Sequence, residues 1–546
     1  MPAQRGESIA AALTAADVRC LRKTQSGEGR GLFCGMGVCQ ECTVVVDGEL
    51  CRACMTEVTR EHHISRGPAL QSSLIERSAL PFGVGDISVM TPDVLVVGGG
   101  AGGLSAAAAA AEAGAEVVLV DERARLGGQY FKQAAGGTSV RDDAQFAAGR
   151  KLIARATRAG ARMLDHVEVW GAFAPRDVAT LDSRGCTIWR PGQLVLATGA
   201  YERGLPVPGW TLPGVMTTGA AQTLLRSYGV VPGRRVLLAG NGPLNFQVAL
   251  ELARHGADVA AVAELAPQPG VWAIPALWGM ASTTPGLLCD GLTLVRELHR
   301  RRIPVLYGHA VRGIGGDAES LSVRLGNGRD YRDPGMAFDV DAVCMSYGFL
   351  PANELARGLD CRHTYDHAHH SLITERSDDC ETSVDGVFAV GDCCGFGGAR
   401  AAMEEGLIAG TAAAAASGHA IPTALLAECT SARRRLRRHR RFQNELWRLF
   451  RAPQLHLELA TPGTLICRCE SVALAQIEAA LTDGRPSLSE VKRRTRLGMG
   501  GCQGRTCAPL AAALLMERQG RPLNEMAFFA PRMPVKPVHI GVLSRR

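Results

Sequence analysis

Residues 93–123 read DVLVVGGGAGGLSAAAAAAEAGAEVVLVDER, and their order decides the fold. An apolar strand, VLVV, runs into Gly98, Gly100 and Gly103, spaced as G-x-G-x-x-G. An alanine-rich helix follows, then a second strand that leads to Asp121. Each glycine has its own task. Gly98 permits the tight turn, Gly100 lets the backbone approach a pyrophosphate, and Gly103 lets the helix pack on the sheet. The helix N-terminus then faces the phosphates, and Asp121 stands where a carboxylate binds an adenosine ribose. A glycine triplet alone says little. Strand, triplet, helix, strand and acid together predict an α/β dinucleotide-binding fold.

Three segments further along select FAD for this unit. LGGQY at 126–130 brings Gly128 and Gln129 just after the ribose acid. QLVLATGAYER at 193–203 is a buried strand leading into a turn at Thr198 and Gly199. VDGVFAVGDCCGFGGARAAMEEGLIAG at 384–410 is a strand, then Gly391–Asp392, then a helix. In two-dinucleotide flavoproteins this last element approaches the flavin, its Asp accepting a hydrogen bond from a ribityl hydroxyl. A second unit, RRVLLAGNGPLNFQVALELARHGADVAAVAE, spans 234–264. It keeps Gly240 and Gly242 but has Asn245 in place of the third glycine, and Glu264 ends its second strand. Reductases of this architecture hold NAD(P)H here. The altered motif predicts a retained fold with changed or lost binding, with an NAD(P) or ADP-type site as the alternative. No cysteine lies in 121–165, and Cys186 and Cys289 are single, so thiol–disulfide chemistry beside the flavin is not expected.

The chain has 18 cysteines, and two groups of them have ligand spacing. In GLFCGMGVCQECTVVVDGELCRAC, Cys34, Cys39 and Cys42 follow C-x4-C-x2-C, the plant-type ferredoxin pattern. TVVVDGEL reads as a hairpin with a D-G turn, which favours Cys54 over Cys51 as the fourth ligand. Gly35 and Gly37 let backbone amides point at the sulfurs. The alternatives are zinc, which usually takes paired C-x2-C hooks, or free thiols. The second group is Cys467, Cys469, Cys502 and Cys507, a C-x-C and a C-x4-C expected on separate helix–turn elements. Lys492, Arg493, Arg494 and Arg505 are close in sequence and would stabilise thiolates. A disulfide is the rival reading, weakened by the strained C-x-C ring. The other ten cysteines read as buried, inert thiols.

Composition narrows the class. Hydrophobic residues are 46% and charged residues 21% of 546, ordinary globular values with room for several domains. The net charge of +7 is too small for this length to call for nucleic acid. No apolar run reaches the ~20 residues of a membrane helix. The N-terminus lacks the basic start and apolar core of a signal peptide, so a cytoplasmic location is expected, with peripheral contact at the inner membrane compatible with it. SARRRLRRHRRFQNELWRLFRA at 431–452 reads as a basic helix with a solvated arginine face over a packed stripe of Leu436, Phe442, Leu446, Trp447 and Phe450. A subunit-docking or acidic-lipid surface is its alternative. His367, His369 and His370 fall in a polar stretch that reads as a surface loop.

The order of motifs resembles the FAD-binding large subunit of the bacterial opine oxidase, hydrogen cyanide synthase and D-amino-acid or hydroxyproline dehydrogenase group. It is also similar to part of the heterotetrameric sarcosine oxidase alpha subunit. GLFCGMGVCQEC is similar to the small ferredoxin-like subunit of these enzymes, here fused at the N-terminus. CRC…CQGRTC resembles the 2Fe–2S domain of bacterioferritin-associated ferredoxins (BFD). PGVMTTGAAQTLL at 213–225 and PRMPVKPV at 531–538 are further phrases of the group. The family's ferredoxin module opens with one more strand, whereas this chain starts at the helix-like GESIAAAL.

The resemblance implies a two-dinucleotide-binding, glutathione-reductase-like FAD fold, with a ferredoxin-like β-grasp 2Fe–2S module before it and a helical BFD-like 2Fe–2S domain after it. The expected divisions are the ferredoxin-like module at 1–88, the two parts of the FAD domain at 89–230 and 346–415, and the NAD(P)-binding-like domain at 231–345. A basic helical linker at 416–460, the BFD-like domain at 461–515 and a tail at 516–546 complete the chain. The expected cofactors are FAD and two 2Fe–2S clusters, with an FMN at an interface between subunits by analogy. The implied function is electron transfer within a heteromeric amine or amino-acid dehydrogenase. Its opine, D-amino-acid, hydroxyproline, glycine or sarcosine-like substrate is oxidised on an FAD-dependent, D-amino-acid-oxidase-like beta subunit in a heterotetramer or larger assembly. The acceptor is a quinone or another carrier. No residue of this chain stands out as a general base. The rivals are a self-contained NAD(P)H-dependent flavin reductase with ferredoxin-type outlets, and a ferredoxin-like carrier or scaffold.

Overall fold

The computed structural model describes residues 1–67, 87–136, 143–328, 335–453, 455–481 and 487–538. Its centre is a parallel five-stranded sheet in the order Val387–Ala389, Gln193–Leu196, Val94–Val97, Val117–Val120 and Arg162–Leu164. Four of these strands are fully buried apolar runs, as expected for a parallel sheet covered on both faces. Helices Ala101–Glu112 and Gly398–Ala416 cover one face. Their backbones touch: a Cβ on Gly406 would fall 2.1 Å from the Gly102 carbonyl oxygen, which is why both helices are built from Ala and Gly. The far ends of the sequence, 93–120 and 387–416, thus close one domain.

A second parallel sheet runs Val215–Thr217, Ala342–Ser346, Arg235–Gly240, Asp258–Glu264 and Val305–Tyr307, with helix Pro243–Arg254 against it. It takes its edge strand from 215–217, so the division at 230/231 separates a strand from the sheet it belongs to. An antiparallel meander, His309–Gly316, Leu321–Asn327 and Met336–Val340, completes this half.

The N-terminal module sets helix Ile9–Ala15, capped by Ser8, on a three-stranded antiparallel sheet of Glu49–Arg52, Thr43–Val46 and Ile64–Arg66. The hairpin turns at Asp47–Gly48, both with positive φ, as the D-G pair predicts. Residues 68–86 lie outside the described residues, and strand Ser88–Met90 straddles the division at 88.

The C-terminal domain corrects two expectations. Its C-x-C lies on a short β-hairpin, Leu465–Cys467 with Val472–Ala473, rather than on a helix–turn. The helix that starts at Cys507 runs on to Arg518, so the boundary at 515 falls inside it. The basic helix spans Thr423–Leu449, starting well before Ser431. Leu425, Cys429, Ala432 and Leu436 pack into the core beneath Gly398–Ala416, and Arg435 and Arg440 pair with Glu404 and Glu405. Among the described residues, no helix is long and apolar enough to cross a membrane.

Candidate functional site

The first glycine turn is a cradle with no space for side chains. A Cβ on Gly103 would lie 1.8 Å from the Gly98 carbonyl oxygen, and one on Gly98 (φ +108°) 2.4 Å from the Ala197 oxygen. Gly128 (φ +63°) crosses Gly100 so closely that its Cβ would fall 2.7 Å from the Gly100 Cα. Gly100 is the N-cap of helix Ala101–Glu112 and gives no side-chain cap, so the first-turn amides are left for a phosphate. Asp121 accepts hydrogen bonds from the Gly99 amide (2.6 Å) and the Arg123 amide (2.8 Å), and burial raises its pKa. Gln129 follows Gly128; its carbonyl and the Gln222 side chain hold the buried Lys132 ammonium, whose pKa burial brings down to about 7. Thr198 donates to the Ala352 carbonyl at 2.5 Å, and Gly199 (φ +73°) opens onto free space. The Gly391 amide donates to Glu405 at 2.8 Å, and Arg376 clamps the same carboxylate. Asp392 accepts from the Gly398 amide, and burial pushes its pKa up to about 6. The ten residues singled out for FAD thus follow the C-terminal ends of four neighbouring strands of one sheet, Val94–Val97, Val117–Val120, Gln193–Leu196 and Val387–Ala389, and the shapes fit a dinucleotide. Glu405 and Arg376, which fix the second turn, carry no sequence signal beyond their charge.

The second glycine turn is held differently from the first. Asn245 is fully buried, accepts from Thr218 Oγ1 at 2.8 Å and donates to the Ser346 carbonyl at 3.3 Å. Glu264 accepts from the Gly242 amide, the Ala266 amide and Asn241 Nδ2; burial pushes its pKa up to about 7. Asn241, inside the turn, also donates to the Phe450 carbonyl at 3.0 Å, and the Phe450 ring packs on Phe246. A carbonyl oxygen of the chain itself therefore holds the Asn241 side chain, while Gly242 (φ +107°), the N-cap of helix Pro243–Arg254, faces open space.

In the N-terminal set, Cys34, Cys39, Cys42 and Cys54 come together. The Cys34 and Cys39 thiols are hydrogen-bonded, as are those of Cys42 and Cys54, and all four are free thiols. The Cys39 thiol, joined by amides of Met36, Cys39 and Val38, holds the Cys34 thiol below its ordinary pKa. Cys54 lies two residues past the return strand. Cys51 sits within that strand, opposite Val44. In the C-terminal set, Cys467 and Cys469 sulfurs are 3.8 Å apart and Cys469 and Cys502 sulfurs 3.5 Å, with Cys507 bonded to Cys467. Two thiolates on one tetrahedral metal at ~2.3 Å per bond stand about 3.8 Å apart, so the spacing suits metal–thiolate chemistry. Among the described residues no three His, Cys, Asp or Glu groups converge as on a single ion; the N-terminal thiols pair two by two, and the C-terminal thiols form a chain Cys507–Cys467–Cys469–Cys502.

Of the four cations expected beside the second set, only Arg505 is buried against it. Its guanidinium donates to the Cys502 carbonyl (3.0 Å) and to Tyr201 Oη (3.1 Å) and pairs with Glu354. Arg493 and Arg494 are exposed, and Lys492 lies over the Phe529 ring. Cys289 is exposed and Cys20, Cys51 and Cys186 are half-buried, which corrects the reading of all ten remaining cysteines as buried. Cys393 and Cys394 are buried with sulfurs 3.6 Å apart, directly after Asp392. His367, His369 and His370 occupy the turn of a hairpin, where His369 bonds Asp366.

The two cysteine sets, over 400 residues apart in sequence, meet at one buried junction. Trp210, 1% exposed, packs edge-on against Phe33 at 5.8 Å and donates its indole N–H to the Leu465 carbonyl at 2.7 Å. Arg468, between Cys467 and Cys469, donates to the Trp210 carbonyl at 2.7 Å and stacks on Phe33, next to Cys34, at 3.8 Å. Its guanidinium is 3.8 Å from Glu41, which lies between Cys39 and Cys42 and is also paired with Arg22 and Arg30. The segment 213–225 seats the N-terminal module: the Thr217 amide donates to the Phe33 carbonyl, and Gly35 rests on Ala220.

Comparison with known proteins agrees with this layout. The family described as pyridine nucleotide-disulphide oxidoreductase matches residues 92–406, the 2Fe–2S iron–sulfur cluster binding domain residues 1–67, and the sarcosine oxidase A3 domain residues 463–545. The A subunit of the opine oxidase of Rhizobium meliloti (strain 1021) is 32% identical over 82% of this chain and 97% of its own. The HcnB subunit of the hydrogen cyanide synthase of Pseudomonas aeruginosa is 31% identical over 78% of this chain and 92% of its own. The solved L-proline dehydrogenase from P. horikoshii shares the fold at 20% identity, with a TM-score of 0.72, over 100% of this chain and 95% of that one.

Proposed function

The chain belongs to the family of the opine oxidase A subunit and the hydrogen cyanide synthase HcnB subunit, built on the pyridine nucleotide-disulphide oxidoreductase fold, and from that premise we propose that it is the electron-carrying subunit of a heteromeric amine or amino-acid dehydrogenase. The observation that carries this reading is the convergence of both cysteine quartets on one junction, with the first quartet joined to the first dinucleotide cradle through Arg123 and the Gly35 carbonyl. Gly98, Gly100, Gly103, Asp121, Gly128, Gln129, Thr198, Gly199, Gly391 and Asp392 would hold FAD. Cys34, Cys39, Cys42 and Cys54 would hold one 2Fe–2S cluster, and Cys467, Cys469, Cys502 and Cys507 the other. When bound, FAD supplies a two-electron carrier and each cluster a one-electron carrier.

The chain's own groups bind, shape and insulate. Uncapped amides at Ala101 receive phosphate, Asp121 receives a ribose, and Glu405 fixes the turn at Gly391. Buried amides around Cys34 stabilise its thiolate. The C–H/N–H oxidation of an opine, D-amino acid, hydroxyproline, glycine or sarcosine-like substrate belongs to a D-amino-acid-oxidase-like partner. The buried Asn245 in place of the third glycine speaks against NAD(P)H as the electron source. An exposed apolar patch offers a docking surface: Val271 is 84% and Trp278 76% exposed, with Ile274 and Leu292 nearby in sequence. An FMN at that interface and a quinone as acceptor complete the proposal by family analogy.

The test is co-expression with such a partner. A complex carrying about four irons and one FAD per copy of this chain, reduced by an amino-acid substrate and not by NADH, is the expected result. Flavin-free protein, or rapid reduction by NADH alone, would overturn it.

A further inference from the structure

Arg22, Arg30 and Arg468 surround Glu41 in a pocket where every one of the four side chains is at least nine-tenths buried. Three guanidiniums thus face one carboxylate, with Glu28 as an additional, exposed partner of Arg30. The Nε atoms of all three arginines and Oε2 of Glu41 make no hydrogen bond among the described residues. Buried positive charge in excess is costly unless negative charge lies close by. Here the nearest source on each side is a cysteine quartet. Glu41 sits between Cys39 and Cys42, Arg468 between Cys467 and Cys469, and Arg468 stacks on the ring preceding Cys34. Iron–sulfur clusters on four thiolates are anionic, and fixed cations next to them favour the added electron.

Residues next to the two quartets also touch. A Cβ on Gly501, next to Cys502, would lie 3.0 Å from Gln40 Cγ, next to Cys39. Through that contact the Cα atoms of Cys39 and Cys502 are at most about 15 Å apart. On its other side the second quartet reaches the turn at Gly199: Arg505, bonded to the Cys502 carbonyl, donates to Tyr201 Oη, which in turn donates to Glu354. The first quartet borders the flavin cradle as well: Arg123, two residues after Asp121, donates to the Gly35 carbonyl at 3.2 Å, and Cys54 and Gly128 line one cavity.

We propose that the two quartets act as one two-electron relay, in which electrons pass directly between them at the Arg468–Glu41 contact and Arg468 is the positioning residue that couples their reduction. The inference rests on the reading that both quartets hold 2Fe–2S clusters. Each site gains or loses one electron and no bond forms or breaks; the pair together matches the two electrons leaving an oxidised C–N unit, whose protons depart at the site of oxidation. A unit charge about 10 Å away at an effective dielectric of ~20 is worth about tenfold in such an equilibrium. Loss of the Arg468 charge is therefore expected to weaken electron uptake at both sites about tenfold, a shift of ~59 mV to more negative potential.

The experiment is electron paramagnetic resonance on the iron-loaded full chain, with a redox titration. In fully reduced wild type the two centres should broaden or split each other's signals, and Cys54→Ser should leave one narrow signal. Arg468→Gln should move both potentials down and Arg468→Lys should restore most of the shift, while Arg434→Gln on the exposed helix face should move neither. Two sharp independent signals in reduced wild type would overturn the relay without any variant having to fold. A shift confined to one site would overturn the role of Arg468. A preparation lacking one cluster altogether would instead remove the reading on which the inference stands, and is told apart by its iron content.

Discussion

Replacing Trp210 tests whether the junction holds the two iron–sulfur modules on the flavin domain. The side chain is fully enclosed, touches Phe33 of one module and Arg468 of the other, and donates to the Leu465 carbonyl. Truncating a buried Trp to Ala costs about 3–5 kcal/mol. Trp210→Phe keeps an aromatic ring against Phe33 but strands the Leu465 carbonyl, at about 1–3 kcal/mol. The loss falls at the contact between modules, so it should show first as loss of the clusters. Urea unfolding followed in one sample by bleaching of the cluster absorbance and by release of flavin fluorescence separates the two. The bleaching midpoint should fall in the order wild type, Trp210→Phe, Trp210→Ala, with flavin release moving less. Trp278→Ala is the control, since that side chain is 76% exposed. If Trp210→Ala bleaches at the midpoint of the Trp278→Ala control, or Trp210→Phe proves worse than Trp210→Ala, the junction does not carry the modules.

Other outcomes can be checked separately. Cys54→Ser should lower the iron content to about two per chain while Cys51→Ser leaves about four, by metal analysis. Gly103→Val should yield flavin-free protein by absorbance, because its Cβ meets the Gly98 oxygen at 1.8 Å. Gly199→Ala, which meets open space at a positive φ, should keep flavin at a cost of about 1–2 kcal/mol. Glu264 has a folded pKa of about 7, raised from its unfolded value by burial. Its ionisation therefore costs stability, which declines as pH rises from ~4.5 through about 7 and is level above. Chemical denaturation of wild type against Glu264→Gln should show their difference changing by up to about 3 kcal/mol across that window, in favour of Gln at the higher pH.

What can be read from the sequence is what depends on neighbours along the chain. Gly98, Gly103 and Asp121 are legible because turn, helix packing and strand end follow within 28 residues of Asp93. The D-G hairpin that brings Cys54 to Cys42 is legible for the same reason. Arg468 and Glu41 stand in plain view inside their cysteine motifs, yet their meaning is tertiary: each gains its role only when the other arrives from over 400 residues away. Trp210 offers no pattern at all, and the exposed face at Val271 and Trp278 looks in sequence like ordinary core. The C-x-C passes for a helix–turn because two cysteines one residue apart have no period of their own. Ser471, with a φ of +52°, makes the turn that pairs its strand instead.

The two dinucleotide units show how one fold serves two ends. In the first, glycine at the third motif position lets helix and strand meet and leaves the turn open. In the second, the Asn245 amide occupies that place and is tied to Thr218 and Ser346, while the Phe450 carbonyl accepts from Asn241 in the turn. Thr218 begins the helix Thr218–Tyr228, and that helix carries the first cysteine module, with Gly35 on Ala220 and the Phe33 carbonyl on the Thr217 amide. The bonds that hold Asn245 thus brace the platform of the first cysteine module, so the altered third motif position and the docked module meet at Thr218.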